Sequence, residues 1–78
     1  MNIKLGDDGG GPRHFLDGKP ISCGTQLQLQ VKPVNGAPTW VWARYEAVFD
    51  GSTPRAVFYT MFGRVSPDGE AIFRWPPS

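Results

Sequence analysis

Polar and apolar residues alternate strictly along Gln26-Leu27-Gln28-Leu29-Gln30-Val31. This predicts a half-buried strand with Leu27, Leu29 and Val31 inward and the glutamines outward. A longer strand is predicted from Thr39 to Phe49, a run without Gly or Pro that is rich in aromatic and β-branched types. One of its rows (Val41, Ala43, Tyr45, Ala47, Phe49) is apolar and suits a core. The opposite row (Trp40, Trp42, Arg44, Glu46, Val48) mixes rings with charges and suits a wet surface. Between the two runs, Pro33 and Asn35-Gly36-Ala37-Pro38 end the first strand. Asn-Gly suits a type I′ turn, so the strands are expected as antiparallel neighbours.

The same patterning divides the rest of the chain. The opening runs into Gly6-Asp7-Asp8-Gly9-Gly10-Gly11-Pro12, which is poor in apolar residues, so residues 1–12 are expected as a flexible tail and 13–78 as the folded domain. Arg13-His14-Phe15-Leu16 reads as a short strand before the hairpin dipeptide Asp17-Gly18, with Ile21 and Cys23 continuing after it. Asp50-Gly51-Ser52-Thr53-Pro54 is a turn, and Arg55 to Phe62 is a strand apolar on both faces, hence flanked on both sides. Ser66-Pro67-Asp68-Gly69 closes it. A last strand, Glu70 to Trp75, is stopped by Pro76-Pro77, because proline cannot donate to a ladder. No stretch has helical periodicity beyond one turn. Strands at this spacing predict an all-β fold, a small five-stranded antiparallel SH3-like barrel with a flexible N-terminal tail. An OB fold is disfavoured, since it needs a longer chain and a helix. The expected core is Ile21, Leu27, Leu29, Val31, Val41, Ala43, Tyr45, Val57, Tyr59 and Phe73.

Composition narrows this further. A chain of 78 residues makes one domain, and such domains bury only about 60% of the surface their unfolded chains expose. Ten aromatic residues can fill so small a core, as each ring buries roughly 150–250 Å². The single cysteine, Cys23, excludes an internal disulfide and fits a reducing cytoplasm as a semi-buried structural thiol. Eight basic residues against seven acidic ones give no general field for nucleic acid or anionic membranes, so any such binding must rest on a local patch. No apolar run approaches the roughly 20 residues of a membrane span, and Met1 to Leu5 lacks the apolar core of a signal peptide. A soluble cytosolic protein is expected.

The order Arg13-His14-Phe15-Leu16-Asp17-Gly18-Lys19-Pro20-Ile21, then Cys23-Gly24 before Leu27-Gln28-Leu29, then Trp40-Val41 and Arg44-Tyr45-Glu46, and finally Arg74-Trp75-Pro76, resembles an uncharacterised family of small bacterial proteins best represented in cyanobacteria. The resemblance covers roughly residues 13–76. It implies an SH3-like barrel in a bacterial cytoplasm and brings no activity with it.

Reactive chemistry has few places to stand. His14 is the only histidine, and a Cys23–His14 nucleophile would also need a third, orienting group. The plainer reading has His14 tipping a strand and Cys23 filling the barrel wall, so no enzyme is expected. Asp7 and Asp8 lack the spacing and closing glutamate of a calcium loop. The triple glycine lacks the Lys-Ser/Thr of a phosphate cradle. No metal or cofactor is therefore expected. The strongest functional hint is the pair Trp40 and Trp42, because two large rings on one strand face cannot both hide in a narrow barrel whose other row already fills it. Either they cover a barrel end, packing on the tail or on Pro76 and Pro77, or together with Arg44 and Trp75 they form a binding patch for a protein, a peptide or a second copy of the chain, since aromatic and Arg side chains dominate binding hot spots. The alternative is a single-stranded nucleic-acid barrel, with the rings stacking on bases and Arg44, Arg55, Arg64 and Arg74 meeting phosphates. Cross-strand pairing of those arginines is the plainer account.

Overall fold

The computed structural model describes every residue except Asp68 and Ser78. Its strands are β1 (Ile3–Asp7), β2 (Pro12–Leu16), β3 (Lys19–Pro20), β4 (Gln26–Val31), β5 (Thr39–Asp50), β6 (Thr53–Thr60), β7 (Gly63–Val65) and β8 (Phe73–Arg74). They form two antiparallel sheets, one ordered β1-β2-β3 and the other β7-β6-β5-β4-β8. No helix occurs among the described residues. The five-stranded sheet ends on strands of only three and two residues. Short edges leave few unpaired backbone groups to recruit another chain.

Turn chemistry fixes the register. Asp17 and Gly18 both have positive φ, 53° and 76°, as a two-residue type I′ turn requires. Gly51 has φ 74° between the paired residues Asp50 and Thr53, as the first central position of a type II′ turn requires. The link from β4 to β5 departs from expectation. Val31 pairs with Thr39, so the loop spans residues 32–38, and Asn35 does not take the positive φ that a type I′ turn demands. Two prolines, Pro33 and Pro38, remove donors that a tight ladder would have used. The predicted strand from Arg55 to Phe62 also ends early, at Thr60. Met61 and Phe62 turn the chain into β7, which the sequence reading missed. The last strand is the pair Phe73–Arg74, shorter than Glu70 to Trp75. The predicted turn Ser66 to Gly69 includes Asp68, which lies outside the described residues.

The expected flexible tail is corrected. Residues 3–7 are a strand, paired in register from Ile3↔Leu16 to Asp7↔Pro12. Gly6 lies within β1, and the other three glycines make the loop between β1 and β2, where Gly9 and Gly11 take positive φ and the Asp7 and Asp8 carboxylates accept from the N–H groups of Gly9 and Gly10. Two features hold β1 down. Ile3 is buried in the core. The Asn2 amide also imitates a strand partner, donating to the Phe73 carbonyl at 2.6 Å and accepting from the Phe73 N–H at 2.8 Å. The N-terminal amine donates to the Gly69 carbonyl as well.

The core lies between the two sheets. Ile3 and Leu16 from the smaller sheet, with Ile21, meet Leu27, Ala43, Tyr45, Ala56, Phe58 and Phe73 from the larger one. Rings run through its centre. Tyr45 meets Phe58 edge-on at 5.7 Å between centroids, and Phe58 stacks on Phe73 at 4.3 Å. Each such contact adds about 0.5–1.5 kcal/mol beyond the area it buries. Of the expected core, Ile21, Leu27, Ala43, Tyr45, Val57 and Phe73 are buried, Leu29, Val31 and Val41 are half-buried, and Tyr59 is exposed. The β6 correction follows from register. Tyr45 pairs with Phe58 and Ala47 with Ala56, so the inner row of β6 is the even-numbered one, and Tyr59 opposite Arg44 faces out.

Candidate functional site

Because paired residues of an antiparallel ladder lie on the same side, the register defines the outer face of the five-stranded sheet residue by residue. One row across it is Arg74–Gln28–Trp42. The next is Gln26–Arg44–Tyr59–Arg64. Gln30–Trp40 lies on one side of these rows, and Glu46–Val57, Val48–Arg55 and Asp50–Thr53 continue this side toward the hairpin tip, where Val57 is covered and fully buried. Adjacent rows stand about 7 Å apart along the strands, and neighbours within a row about 4.8 Å apart.

The side chains on this face order one another. The Arg74 guanidinium lies 4.2 Å from the Trp40 ring centroid, and its Nε donates to Gln28 Oε1 at 2.7 Å. Arg44 lies 5.1 Å from the Tyr59 ring and 3.4 Å from a Glu46 oxygen. Cation–π contacts at such sites contribute about 0.5–1 kcal/mol each, and an exposed ion pair about 0–1 kcal/mol. Trp42 is left with an open ring, 55% exposed. At the same end of the sheet the β6–β7 turn presents Met61 and Phe62, 80% and 67% exposed.

The structure therefore brings Trp40, Trp42 and Arg44 together as the alternating pattern implies. It adds Tyr59, Arg64 and Arg74, which only the register of three further strands could place there. Trp75 stands elsewhere. It follows outward-facing Arg74, so its ring turns to the core side, packs against the buried cluster and donates from Nε1 to the Leu16 carbonyl at 2.9 Å. Its role is to tie the end of β8 to β2, with Lys19 Nζ 6.0 Å from the ring.

The residues with reactive potential are separated from this face. His14 is buried at 6% exposure, and its Nδ1 lies 2.6 Å from the Tyr45 hydroxyl. Burial lowers the His14 pKa. Burial first, then the nearby Cys23 and Glu46 charges against that of Arg13, pushes the Tyr45 pKa up to about 12. Burial favours the neutral form of both groups, and we assign the phenol as donor to Nδ1. Cys23 is exposed, not built into a barrel wall. It borders a groove of about 360 Å³ lined also by Arg13, Ile21, Tyr45 and Phe49. Asp8, at the same groove, is held below its ordinary pKa by the Gly10 N–H and by Arg13, which it meets at 3.1 Å. Among the described residues, no three His, Cys, Asp or Glu side chains gather as a metal site. No helix among them is long and apolar enough to cross a membrane.

Compared with models of protein families, with curated proteins and with solved structures, the chain matches none.

Proposed function

We propose that the protein is a non-enzymatic binding module on an SH3-like framework, which takes its partner on the outer face of the five-stranded sheet. One observation carries the reading: Trp40, Trp42, Arg44, Tyr59, Arg64 and Arg74 share a face that the core does not use, with an open ring at Trp42. Exposed Trp and Arg are the residue types from which binding hot spots are built. Arg74 stacked over Trp40 and Arg44 over Tyr59 hold these groups in place before any partner arrives. Such order lowers the conformational entropy lost on binding. His14 bonded to a neutral phenol, with Cys23 out on the surface, supports a binding role over a nucleophilic one. A lone exposed thiol suits a reducing compartment, and we place the module in the cytosol.

The test uses wild type and Trp42→Ala as baits in lysate of the native host, with both protein and nucleic acid identified and the fold of each bait checked by circular dichroism. A partner retained by wild type and lost by Trp42→Ala supports the reading. Identical captures by two folded baits overturn it.

A further inference from the structure

We infer that the ligand of this outer face is single-stranded RNA, an inference that rests on the binding-module reading above. The first observation is where the charges stand. The strand ladders place four of the eight basic residues (Arg44, Arg55, Arg64 and Arg74) on this face and, among the described residues, two carboxylates with them, Glu46 and Asp50. Glu46 pairs with Arg44 and offsets that charge, and Asp50 sits at the hairpin tip, away from the tryptophans, which leaves the face cationic by two. The near-neutral total thus conceals a cationic sheet face. A chain of phosphodiesters complements it.

The second observation is the grid of rings among those cations. Trp42 offers an open π-face between Arg74 and Gln28 on one side and Arg44 in the next row. An unpaired base can stack there while its flanking phosphates meet guanidinium groups. Duplex does not fit this face, because its bases are already stacked on each other and offer Trp42 no free π-face. An acidic peptide would satisfy the arginines but gives Trp42 no planar partner. Ribose is favoured over deoxyribose by Gln26, Gln28 and Gln30, which line the rows beside Trp40, Trp42 and Arg44. Their amides both donate and accept, as a 2′-hydroxyl requires.

The experiment titrates the full chain into a fluorescein-labelled, mixed-sequence RNA of about ten nucleotides, a length within single-domain site sizes. Anisotropy and tryptophan fluorescence are read together. Binding is expected below about 100 µM at low salt, and three phosphate contacts give a log–log salt slope of about −2, roughly a 20-fold loss between 50 and 200 mM salt. Tryptophan emission should quench on binding. Trp42→Ala should weaken binding about 5-fold or more. Arg64→Gln should flatten the slope by about 0.7, whereas Lys4→Gln, on the other sheet, should change neither quantity. Should Trp42→Ala fail to fold, the Arg64→Gln slope and the wild-type quench still decide the matter. No RNA binding at about 100 µM overturns the inference, as does equal affinity for DNA of the same sequence. If an oligoglutamate peptide binds instead and needs Trp42, RNA is the wrong ligand and the face remains a docking surface. If neither polyanion binds and the lysate captures are also unaffected by Trp42→Ala, the module reading fails with it.

Discussion

Replacing Tyr45 by Phe isolates a buried polar contact that joins the two sheets. The substitution keeps the ring, so the edge contacts with His14 at 5.6 Å and with Phe58 at 5.7 Å are retained, and only the hydroxyl 2.6 Å from His14 Nδ1 is lost. What remains is an imidazole nitrogen without its partner in a site 6% exposed. An orphaned buried group costs about 1–3 kcal/mol, more than the roughly 1 kcal/mol of an ordinary net hydrogen bond. In a domain this size each kilocalorie lowers Tm by about 4–8 °C. Urea unfolding across pH reads the effect twice. The unfolded chain ionises a tyrosine near 10 while the folded chain holds Tyr45 to about 12, so wild-type stability is present below pH 10 and lost as pH rises from there toward 12. Tyr45→Phe should lack this part of the alkaline loss. The acid side behaves in the opposite sense. His14 is lowered from 6.5 by burial. Its share of stability is therefore present above pH 6.5 and falls as the unfolded chain alone takes up a proton below that. A change under about 0.5 kcal/mol at pH 7, where only surface substitutions usually fall, would refute the reasoning. So would an alkaline limb identical to wild type.

Further predictions concern the parts of the fold that the sequence disguises. Asn2→Ala removes both bonds to the Phe73 backbone and should cost about 1–3 kcal/mol in urea unfolding, with faster amide exchange across Ile3–Asp7; a neutral result would mean that β1 does not depend on the clamp. Leu27→Ala should cost about 2–5 kcal/mol and clearly exceed Leu29→Ala, because Leu27 is fully buried and Leu29 only partly so. Equal costs would point to a shifted register. Gly51→Ala introduces a side chain at φ 74° with open space around the new Cβ, so the cost should be conformational, about 1–2 kcal/mol by thermal melting; no loss would mean the turn is not of the type assigned.

The long strand and its neighbour were legible because their signal is local. In Gln26–Val31 and Thr39–Asp50 the period of two is written in consecutive residues, and the ladder pairs those rows as the pattern implies. What the sequence hid was non-local. Ile3 and Leu5 alternate too briefly before the glycines and aspartates to mark a strand, and nothing in their own segment says that Leu16 will pair with Ile3 or that Asn2 will bond to a residue 71 positions away. On β6 both rows are apolar, so alternation could not choose between Phe58 and Tyr59. The choice was made by Tyr45↔Phe58 register across the Gly51 turn. Trp75 was misplaced for a related reason. As an aromatic beside an arginine it reads like Trp42, and only the side of the sheet on which Arg74 falls sends the two in opposite directions.

The candidate face shows the same division between local and assembled information, and this bears on how it can work. The alternation along β5 was enough to put Trp40, Trp42 and Arg44 outward, but the chemistry of the face comes from strands far apart in the chain. Arg74 reaches Trp40 only because β8 pairs with β4, and Arg44 reaches Tyr59 only because β6 pairs with β5. Those stacks leave Trp42 as the ring with the most exposed surface among the three tryptophans. Stacking capacity is therefore concentrated at one position, with fixed cations on either side of it. Substituting a flanking arginine should then act in two ways, removing a charge and loosening the ring it covers, whereas substituting Trp42 removes the contact surface alone. Arg74→Gln is expected to lower affinity more than the loss of one phosphate contact explains, and Arg64→Gln, whose guanidinium covers no ring among the described residues, by no more than that.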